Sequence, residues 1–208
     1  MKRILRAGKF KKRGLFNRLV KDNSAVAMLE FALLLPMLMM MTLGSFEVGR
    51  YALLTQKLDR ISATMADLVA RAEALSADEV DNLFNSTDFL AQPFDFSTSG
   101  MVVVTSVVGR AGQEPLIIGQ RARGTITGVS SKIGSNGGAA LLPTVFTDVG
   151  GQTLADGEGV IVSEVFFSYS PYFTGAGGKF LGVQILKDMV IYRQAFFRPR
   201  LSEQTTFN

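Results

Sequence analysis

Apolar residues are distributed unevenly along this 208-residue chain. The longest apolar run extends from Ala25 to Phe46 (AVAMLEFALLLPMLMMMTLGSF) and contains one charged residue, Glu30. At a rise of about 1.5 Å per residue, a helix over this run is roughly 33 Å long, which is enough to cross a bilayer. The pattern therefore predicts a membrane-spanning helix at residues 26–46.

A helical pattern continues beyond the apolar run. Apolar residues recur at helical spacing at Leu54, Leu58, Ile61, Met65, Leu68 and Leu75, with charged residues between them. The tetrapeptide Ser76-Ala77-Asp78-Glu79 has the form of a capping box, so a short second helix is predicted to about Phe84. Pro93 then marks the end of the helical half. Residues 47–98 are thus predicted to form a helical extension.

From residue 99 onward the pattern changes to short, β-branched apolar stretches. Strands are predicted at Met101–Val108, Pro115–Arg123, Gly159–Ser170 and Met189–Phe197. The turn between the first two is placed at Gly109–Gln113, and the Gly- and Ser-rich region Gly124–Gly159 is assigned to long loops. Residues 99–208 are therefore predicted to form a β-rich domain with an antiparallel sheet.

Charge is concentrated at the start of the chain. Residues 1–22 hold nine of the 22 Lys and Arg residues and one of the 18 acidic residues, which leaves 13 basic and 17 acidic residues in the remainder. The positive-inside rule then predicts that residues 1–25 form a basic cytoplasmic leader and that the body is periplasmic. The mildly acidic body argues against nucleic-acid binding.

The apolar run fits a secretory signal or a soluble core helix less well than a membrane span. A cleaved secretory signal has an apolar region of about 7–15 residues, which is shorter than this run and tolerates a carboxylate poorly. A buried helix of a soluble protein is disfavoured by the length of the run and by its one-sided basic flank.

The composition excludes several classes of enzyme. The chain has no Cys and no His, so thiolate or imidazole metal sites and His-based catalytic triads are ruled out. The segment Gly175–Phe180 resembles a P-loop only faintly, because Phe180 stands where Ser or Thr is required, and Gly134–Gly138 has no Lys. No catalytic residue, metal site or cofactor is predicted.

Several conspicuous side chains receive structural roles instead. Asp156, Glu158 and Glu164 lack the spacing of a calcium loop and are interpreted as solvated loop charges. The aromatic residues around Pro171 are assigned to the core; they are Phe166, Phe167, Tyr169, Tyr172 and Phe173.

The segment Asn23–Pro36 (NSAVAMLEFALLLP) resembles the N-terminal segment of TadE/TadG-like minor pseudopilins of the tight-adherence (Tad, or Flp) pilus. That family has a basic leader, small residues, and a Glu-Phe-Ala sequence followed by Pro that opens a membrane helix. The segment Gly44–Arg50 (GSFEVGR) is also similar to a recurring family pattern. The resemblance covers about residues 24–65. The partners it implies are the membrane, other pilin or pseudopilin subunits, a prepilin peptidase and the pilus assembly platform.

The resemblance also implies processing. Prepilin peptidases cut so that a Glu becomes the fifth mature residue, which places the cut between Ala25 and Val26 and makes Glu30 that residue. The usual residue before the cut is Gly, and this chain has Ala. The new α-amino group at Val26 is then available to pair with the Glu30 carboxylate of a neighbouring subunit. Alternatively, Glu30 reaches the cytoplasmic headgroups or is protonated.

Pro36 is predicted to kink the membrane helix, because it cannot donate a helical hydrogen bond and clashes with the carbonyl of Ala32. Taken together, the sequence predicts an α+β protein in which a long N-terminal membrane-spanning helix extends into a periplasmic head with a short second helix and an antiparallel sheet. The favoured function is that of a pilin-like subunit of the inner membrane. The alternatives are an uncleaved single-pass scaffold of a pilus or secretion machine and a membrane-tethered periplasmic enzyme or glycan binder.

Overall fold

The computed structural model describes residues 23–124, 126–143, 154–172, 179–180, 183–184 and 188–207. Three helices are present in this part of the chain: α1 (Asn23–Ala70), α2 (Ala77–Ala91) and α3 (Phe96–Ser99). The strands are β1 (Ala74–Leu75), β2 (Gly100–Arg110), β3 (Gln113–Gly124), β4 (Gly159–Tyr169), β5 (Lys179–Phe180), β6 (Val183–Gln184), β7 (Met189–Phe197) and β8 (Thr206–Phe207). Residues 1–22 of the predicted leader (residues 1–25) and the glycines of the P-loop-like segment lie outside the described residues.

The chain divides into two compact units, with the boundary between Phe46 and Glu47. Helix α1 begins at Asn23 and contains Pro36 within its length. It ends at Ala70, so the prediction that the helix includes Leu75 was wrong. Leu75 instead lies in β1, which pairs in parallel with β8 from the far end of the chain. A partner so distant in sequence cannot be inferred from local periodicity.

The predicted capping box starts α2 and is confirmed. The Ser76 side chain accepts a hydrogen bond from the Glu79 amide, and the Ser76 amide donates to Glu79 Oε2 at 2.9 Å. The helix continues beyond the expected Phe84 to Ala91, since its buried positions recur at helical spacing. These positions are Val80, Phe84, Thr87 and Ala91.

The four predicted strands form one antiparallel sheet in the order β3-β2-β4-β7, which confirms the α+β assignment. The turn between β2 and β3 is tighter than expected and consists of Ala111 and Gly112. Gly112 has a φ of 67°, a left-handed value that glycine adopts without strain. Strands β5 and β6 pair separately from this sheet, as a two-residue antiparallel ladder.

Helix α1 covers one face of the sheet. Its residues Leu54, Leu58 and Ile61 have no exposed surface, and they belong to the same buried cluster as Val104 and Val165 of the sheet. Burying a side chain of this size stabilises a fold by about 1.5–3 kcal/mol. The predicted apolar stripe of the extension therefore packs against its own domain.

The opposite face of the sheet is covered by irregular chain. In these irregular segments, Ile133, Ala140 and Leu154 are buried against Ile117 and Val160 of the sheet. The loop runs alongside β3, where the Ile117 amide donates to the Gly138 carbonyl at 3.0 Å. The sheet is therefore buried on both faces, which explains why β4 reads as an almost continuous apolar stretch.

The last described residues hold the end of α1. Arg200 Nη2 lies 2.8 Å from Asp67 Oδ1, and the Arg200 amide donates to the Ala70 carbonyl at 2.8 Å. The Thr205 hydroxyl donates to the Ala72 carbonyl at 2.9 Å, immediately before β8 pairs with β1. These contacts satisfy backbone carbonyls that the end of a helix leaves free.

Candidate functional site

Helix α1 exposes large apolar side chains from Val26 to Phe46. The exposed large side chains are Val26, Met28, Leu29, Phe31, Leu33, Leu34, Leu35, Met37, Leu38, Met39, Met40, Met41 and Phe46. Among the described helices, α1 alone is long and apolar enough to cross a membrane, with a mean hydropathy of 2.1 and no buried residue in its most apolar window. Such a surface is stable in lipid and unfavourable in water.

The hydroxyl groups of Thr42 and Ser45 are satisfied by the helix itself. Thr42 Oγ1 donates to the Leu38 carbonyl at 2.9 Å, and Ser45 Oγ donates to the Met41 carbonyl at 2.7 Å. Hydroxyls bonded in this way carry little cost in a bilayer. Glu30 is therefore the polar group of the segment whose placement in lipid is expensive.

The predicted processing and assembly residues all lie on α1. Asn23 is the first helical residue, so the Ala25–Val26 peptide bond lies in the first turn. Val26 is half exposed, and Glu30 is exposed one helical turn further along the same side of the helix. Pro36 lies within the same continuous helix. Cleavage after Ala25, an assembly role for Glu30 and a kink at Pro36 remain predictions.

A buried polar cluster, which the sequence analysis missed, lies where the second unit begins. The Glu47 side chain is buried and accepts a hydrogen bond from the Tyr169 hydroxyl. The Tyr172 amide donates to the other Glu47 carboxylate oxygen at 3.3 Å. A charged pair directly after the apolar run, Glu47 and Arg50 at an i,i+3 spacing, was the available sequence signal.

Arg50 completes this cluster from the next turn of α1. Its Nε lies 3.4 Å from Glu47 Oε1, and its Nη2 donates to the Ser170 carbonyl at 2.5 Å. The guanidinium carbon lies 3.7 Å from the centre of the Tyr172 ring and 4.7 Å from that of Tyr169. A guanidinium in this position combines an ion pair with cation–π attraction. The cluster therefore joins α1 to the end of β4.

The environment of Tyr169 keeps its hydroxyl protonated. Burial raises the pKa of Tyr169 to about 12, and the hydrogen bond to the Glu47 carboxylate acts in the same direction, while Arg50 opposes the shift. The ionised phenolate would lose solvation and face a carboxylate. Tyr169 therefore remains a hydrogen-bond donor throughout the physiological pH range.

Glu164 lies at the centre of a second polar cluster, and its interpretation as a solvated loop charge was wrong. It belongs to β4, has no exposed surface, and faces the loop that covers the sheet. Its carboxylate accepts hydrogen bonds from the Ser131 hydroxyl, from the Lys132 amide at 2.8 Å and from the Tyr192 hydroxyl at 3.0 Å. Partial burial and the Glu164 charge raise the pKa of Tyr192. Glu164 thus fixes the covering loop to the sheet.

The remaining side chains considered in the sequence have structural partners. Asp156 accepts from the Ala111 amide at 3.1 Å, and Glu158 pairs with Arg198 at 2.7 Å. Phe166, Phe167 and Tyr169 are buried as predicted, whereas Tyr172 is 69% exposed. Phe173 lies outside the described residues.

The described residues contain no group of three or more acidic, His or Cys side chains placed to hold a metal ion. In the glycine-rich loop, the Gly137 amide donates to the Ile117 carbonyl at 2.9 Å and the Gly138 amide donates to the Ser135 carbonyl at 2.9 Å. These two amides are therefore already engaged within the fold and do not point together at a phosphate.

Part of the chain matches a known protein family. Residues 25–67 match the family described as TadE-like protein, whose members are pilus-assembly proteins not known as enzymes. No curated protein and no solved structure matches the chain. The matched region contains the apolar segment with Glu30 and Pro36 as well as Glu47 and Arg50 of the buried cluster. The chain therefore carries a TadE-like domain at residues 25–67.

Proposed function

We propose that this protein is a pilin-like structural subunit, a minor pseudopilin of the tight-adherence pilus, which is inserted in the inner membrane and assembles through its N-terminal helix. One observation carries the proposal: Glu30 is exposed on a helix whose other large exposed side chains up to Phe46 are apolar, within a TadE-like domain. A charge kept at such a position is costly unless it meets a partner.

The proposed partner is the α-amino group created at Val26 of a neighbouring subunit. Val26 and Glu30 lie one turn apart on α1, so subunits staggered by about one turn bring the amine of one chain to the carboxylate of the next. An ion pair formed in lipid compensates the cost of burying either charge alone.

The proposed orientation places the N-terminus in the cytoplasm and the unit beginning at Glu47 in the periplasm. It is supported by the nine basic residues among residues 1–22 and the acidic balance of the rest of the chain. A reporter enzyme fused at the C-terminus should be active in its periplasmic form and inactive in its cytoplasmic form. Activity of the cytoplasmic form would overturn the orientation and, with it, the pilin-like role.

The unit beginning at Glu47 is proposed to act by contact with other subunits and the assembly platform, without cofactor or catalysis. Its buried carboxylates, Glu47 and Glu164, are both engaged by hydrogen-bond donors that hold the fold together. These hydrogen bonds give both carboxylates a structural role.

N-terminal sequencing and intact mass of the membrane-extracted protein test the proposal directly. The expected mature sequence begins Val-Ala-Met-Leu-Glu. A full-length chain would favour the uncleaved scaffold, and a start near Ser45 would favour an ordinary signal peptide. Ala25→Gly should be processed at least as well as the parent, whereas a bulky residue at position 25 should block cleavage. Ala32→Gly, the same change beyond the cut, is the matched control and should leave processing unchanged.

A further inference from the structure

A cavity of about 360 Å³ opens in the second unit where α2 and α3 meet the start of β2 and the end of β3. We name it the α2 pocket, and its lining includes Phe84, Thr87 and Asp88 of α2, Phe96 of α3 and Arg123 of β3. We propose that the α2 pocket binds the cationic side chain of a lysine or arginine from another protein chain. The inference rests on the role proposed above for this unit, which is contact with other subunits, and it gives one such contact a site and a chemistry.

The floor of the α2 pocket is apolar and is held in place by the core. Phe84 and Phe96 are buried and belong to the same cluster as Val102 of the sheet. The ring of Phe96 also packs against that of Phe167, with centroids 6.1 Å apart. A Cβ atom at Gly100 would lie 2.5 Å from the Phe96 ring, so the ring reaches this position because residue 100 is glycine. The fold itself therefore forms the floor, as is usual for ligand pockets.

The rim of the α2 pocket carries an excess of negative charge. Arg123 Nη1 donates to the Asp81 carbonyl at 3.2 Å and lies 3.8 Å from the Asp81 carboxylate. Within the described residues, the exposed Asp88 carboxylate has neither a hydrogen bond nor an ion pair. The guanidinium of Arg121 lies 5.7 Å from the centre of the Phe207 ring, outside the lining of the pocket. The charge without a partner at the rim is thus that of Asp88, which attracts a cation and repels an anion.

A lysine or arginine side chain matches both parts of the α2 pocket. Its alkyl stem is suited to the apolar floor, while its charged head stays at the solvent-exposed rim beside Asp88. A cation close to the rings of Phe84 and Phe96 also gains cation–π attraction.

The size and the remaining polar group of the pocket fit the same occupant. Its volume of about 360 Å³ is near the lower end of the range for ligand pockets, roughly 300–1,000 Å³, and suits a single side chain better than a large cofactor. The Thr87 hydroxyl donates to the Phe84 carbonyl at 2.6 Å, so its proton is already engaged and does not call for an acceptor on the ligand. Asp88 is therefore the group that selects the charge of the occupant.

Nuclear magnetic resonance titration of the isotope-labelled full-length protein in detergent micelles tests the inference. The probe is N-acetyl-lysine amide, and its control is N-acetyl-norleucine amide, which has the same four-carbon stem without the ammonium group. We expect the lysine probe to shift the amide signals of Thr87 and Gly100 with a Kd in the millimolar range, as for other ligands of few atoms. The norleucine control should bind about three- to fivefold more weakly, the difference expected for one ion pair at an exposed carboxylate. Equal binding of the two compounds would overturn the inference.

Two variants locate the binding. Asp88→Asn keeps the size of the side chain and removes its charge, so the affinity for the lysine probe should fall by about three- to fivefold while that for the norleucine control stays unchanged. Asp78→Asn, at an exposed carboxylate of the same helix outside the lining of the pocket, is the matched control and should bind as the parent does. Equal affinity of the parent and both variants for the lysine probe would overturn the assignment of Asp88.

A third compound, n-butylammonium, separates a protein chain from a free amine as the source of the cation. It carries the stem and charge of lysine without the main chain. Binding of the lysine probe as tightly as n-butylammonium supports a protein chain, because the pocket then admits the attached backbone. Binding of n-butylammonium with exclusion of the lysine probe would overturn the inference in favour of a free amine. Absence of binding by all three compounds would refute the pocket as a site, whereas a mature chain that begins at Val26 would still support the pilin-like role.

Discussion

The Tyr169 hydroxyl donates a hydrogen bond to the Glu47 carboxylate and so connects residues 122 positions apart in the sequence. Both side chains are buried, and Arg50 completes the cluster by pairing with Glu47 and stacking on Tyr169. The first turn of α1 in the second unit is therefore fixed to the end of β4 by polar contacts. The apolar contacts that hold the rest of this helix to the sheet begin at Leu54.

Glu47→Ala should destabilise the second unit by about 2–3 kcal/mol, because it leaves the Tyr169 hydroxyl and the Arg50 guanidinium buried without their acceptor. The loss is limited because Arg50 keeps its bond to the Ser170 carbonyl. Denaturant unfolding of the full chain in detergent measures the change. Glu114→Ala, at an exposed carboxylate, is the control and should remain within about 0.5 kcal/mol of the parent. Equal effects of the two substitutions would contradict the structural role of Glu47.

Stability should fall as the pH rises above 10. The pKa of Tyr169 is raised from 10.0 to about 12, so the unfolded chain loses the phenolic proton at a pH where the folded chain still binds it. The folded state therefore binds more protons in this window, and the free energy of unfolding declines by up to about 1.4 kcal/mol per pH unit for this group. Below pH 10 the contribution is fully present. Unfolding measured in steps from pH 9 to 11.5 checks the prediction.

Tyr169→Phe is the control for this pH dependence, since it removes the titrating group and keeps the ring. Its stability should decline less steeply above pH 10 than that of the parent, although Tyr192, whose pKa is also raised, still contributes. Parallel pH profiles for parent and variant would show that Tyr169 does not titrate differently in the two states. Absorbance of the phenolate provides an independent readout of ionisation in the folded protein.

Glu164→Ala should release the loop that covers the sheet. The substitution removes the acceptor of the Lys132 amide and the Ser131 hydroxyl, and the cost is about 1–3 kcal/mol for buried donors left without a partner. Hydrogen exchange should therefore accelerate at amides near residue 132 more than in the strands β2 and β4. Glu203→Ala, which removes a carboxylate at an exposed position, is the matched control. Unaltered exchange in the loop would mean that the apolar residues Ile133 and Ala140 hold it unaided.

Glu30→Ala should be inserted and cleaved normally yet fail to assemble. Removing a carboxylate from an apolar segment makes insertion easier, while the pairing with a neighbouring Val26 amine is lost. N-terminal sequencing after membrane extraction measures cleavage, and copurification of subunits measures assembly. Thr42→Ala is the control, because that hydroxyl is satisfied within its own helix. Glu30→Gln keeps the shape without the charge, and full assembly of this variant would refute the pairing and favour a carboxylate that merely reaches the headgroups.

Much of this fold could be predicted because its signals are local. The apolar run, the capping box at Ser76 and the four main strands each depend on residues close together in sequence, and the structure places them as expected. The boundaries differ where a distant segment decides the outcome. Leu75 was assigned to a helix by its spacing, but it pairs with Phe207 in a strand.

The polar clusters could not be predicted for the same reason. In the sequence, Glu164 cannot be distinguished from a solvent-exposed acidic residue. Its burial depends on hydrogen bonds from Ser131 and Lys132, which belong to a loop more than 30 residues earlier in the chain. Glu47 meets Tyr169 only after the sheet has formed and α1 has packed on it. The residues proposed for assembly, Val26 and Glu30, follow from the resemblance of residues 23–36 to pseudopilins, and their role stays a prediction.

Arg200 and Asp67, whose side chains are hydrogen-bonded, lie 133 positions apart in the sequence. During synthesis, Asp67 at the end of α1 is therefore made well before its partner Arg200. At about 10 residues per second, the end of α1 waits roughly 13 s before its partner leaves the ribosome. Until then the Ala70 carbonyl and the strand β1 lack the partners that Arg200 and β8 supply in the folded chain. Nascent chains stalled just before Arg200 should therefore be cut by protease near residues 67–75, and chains released after Phe207 should be protected there. We therefore expect the timing of translation, as well as the final contacts, to affect how this unit folds.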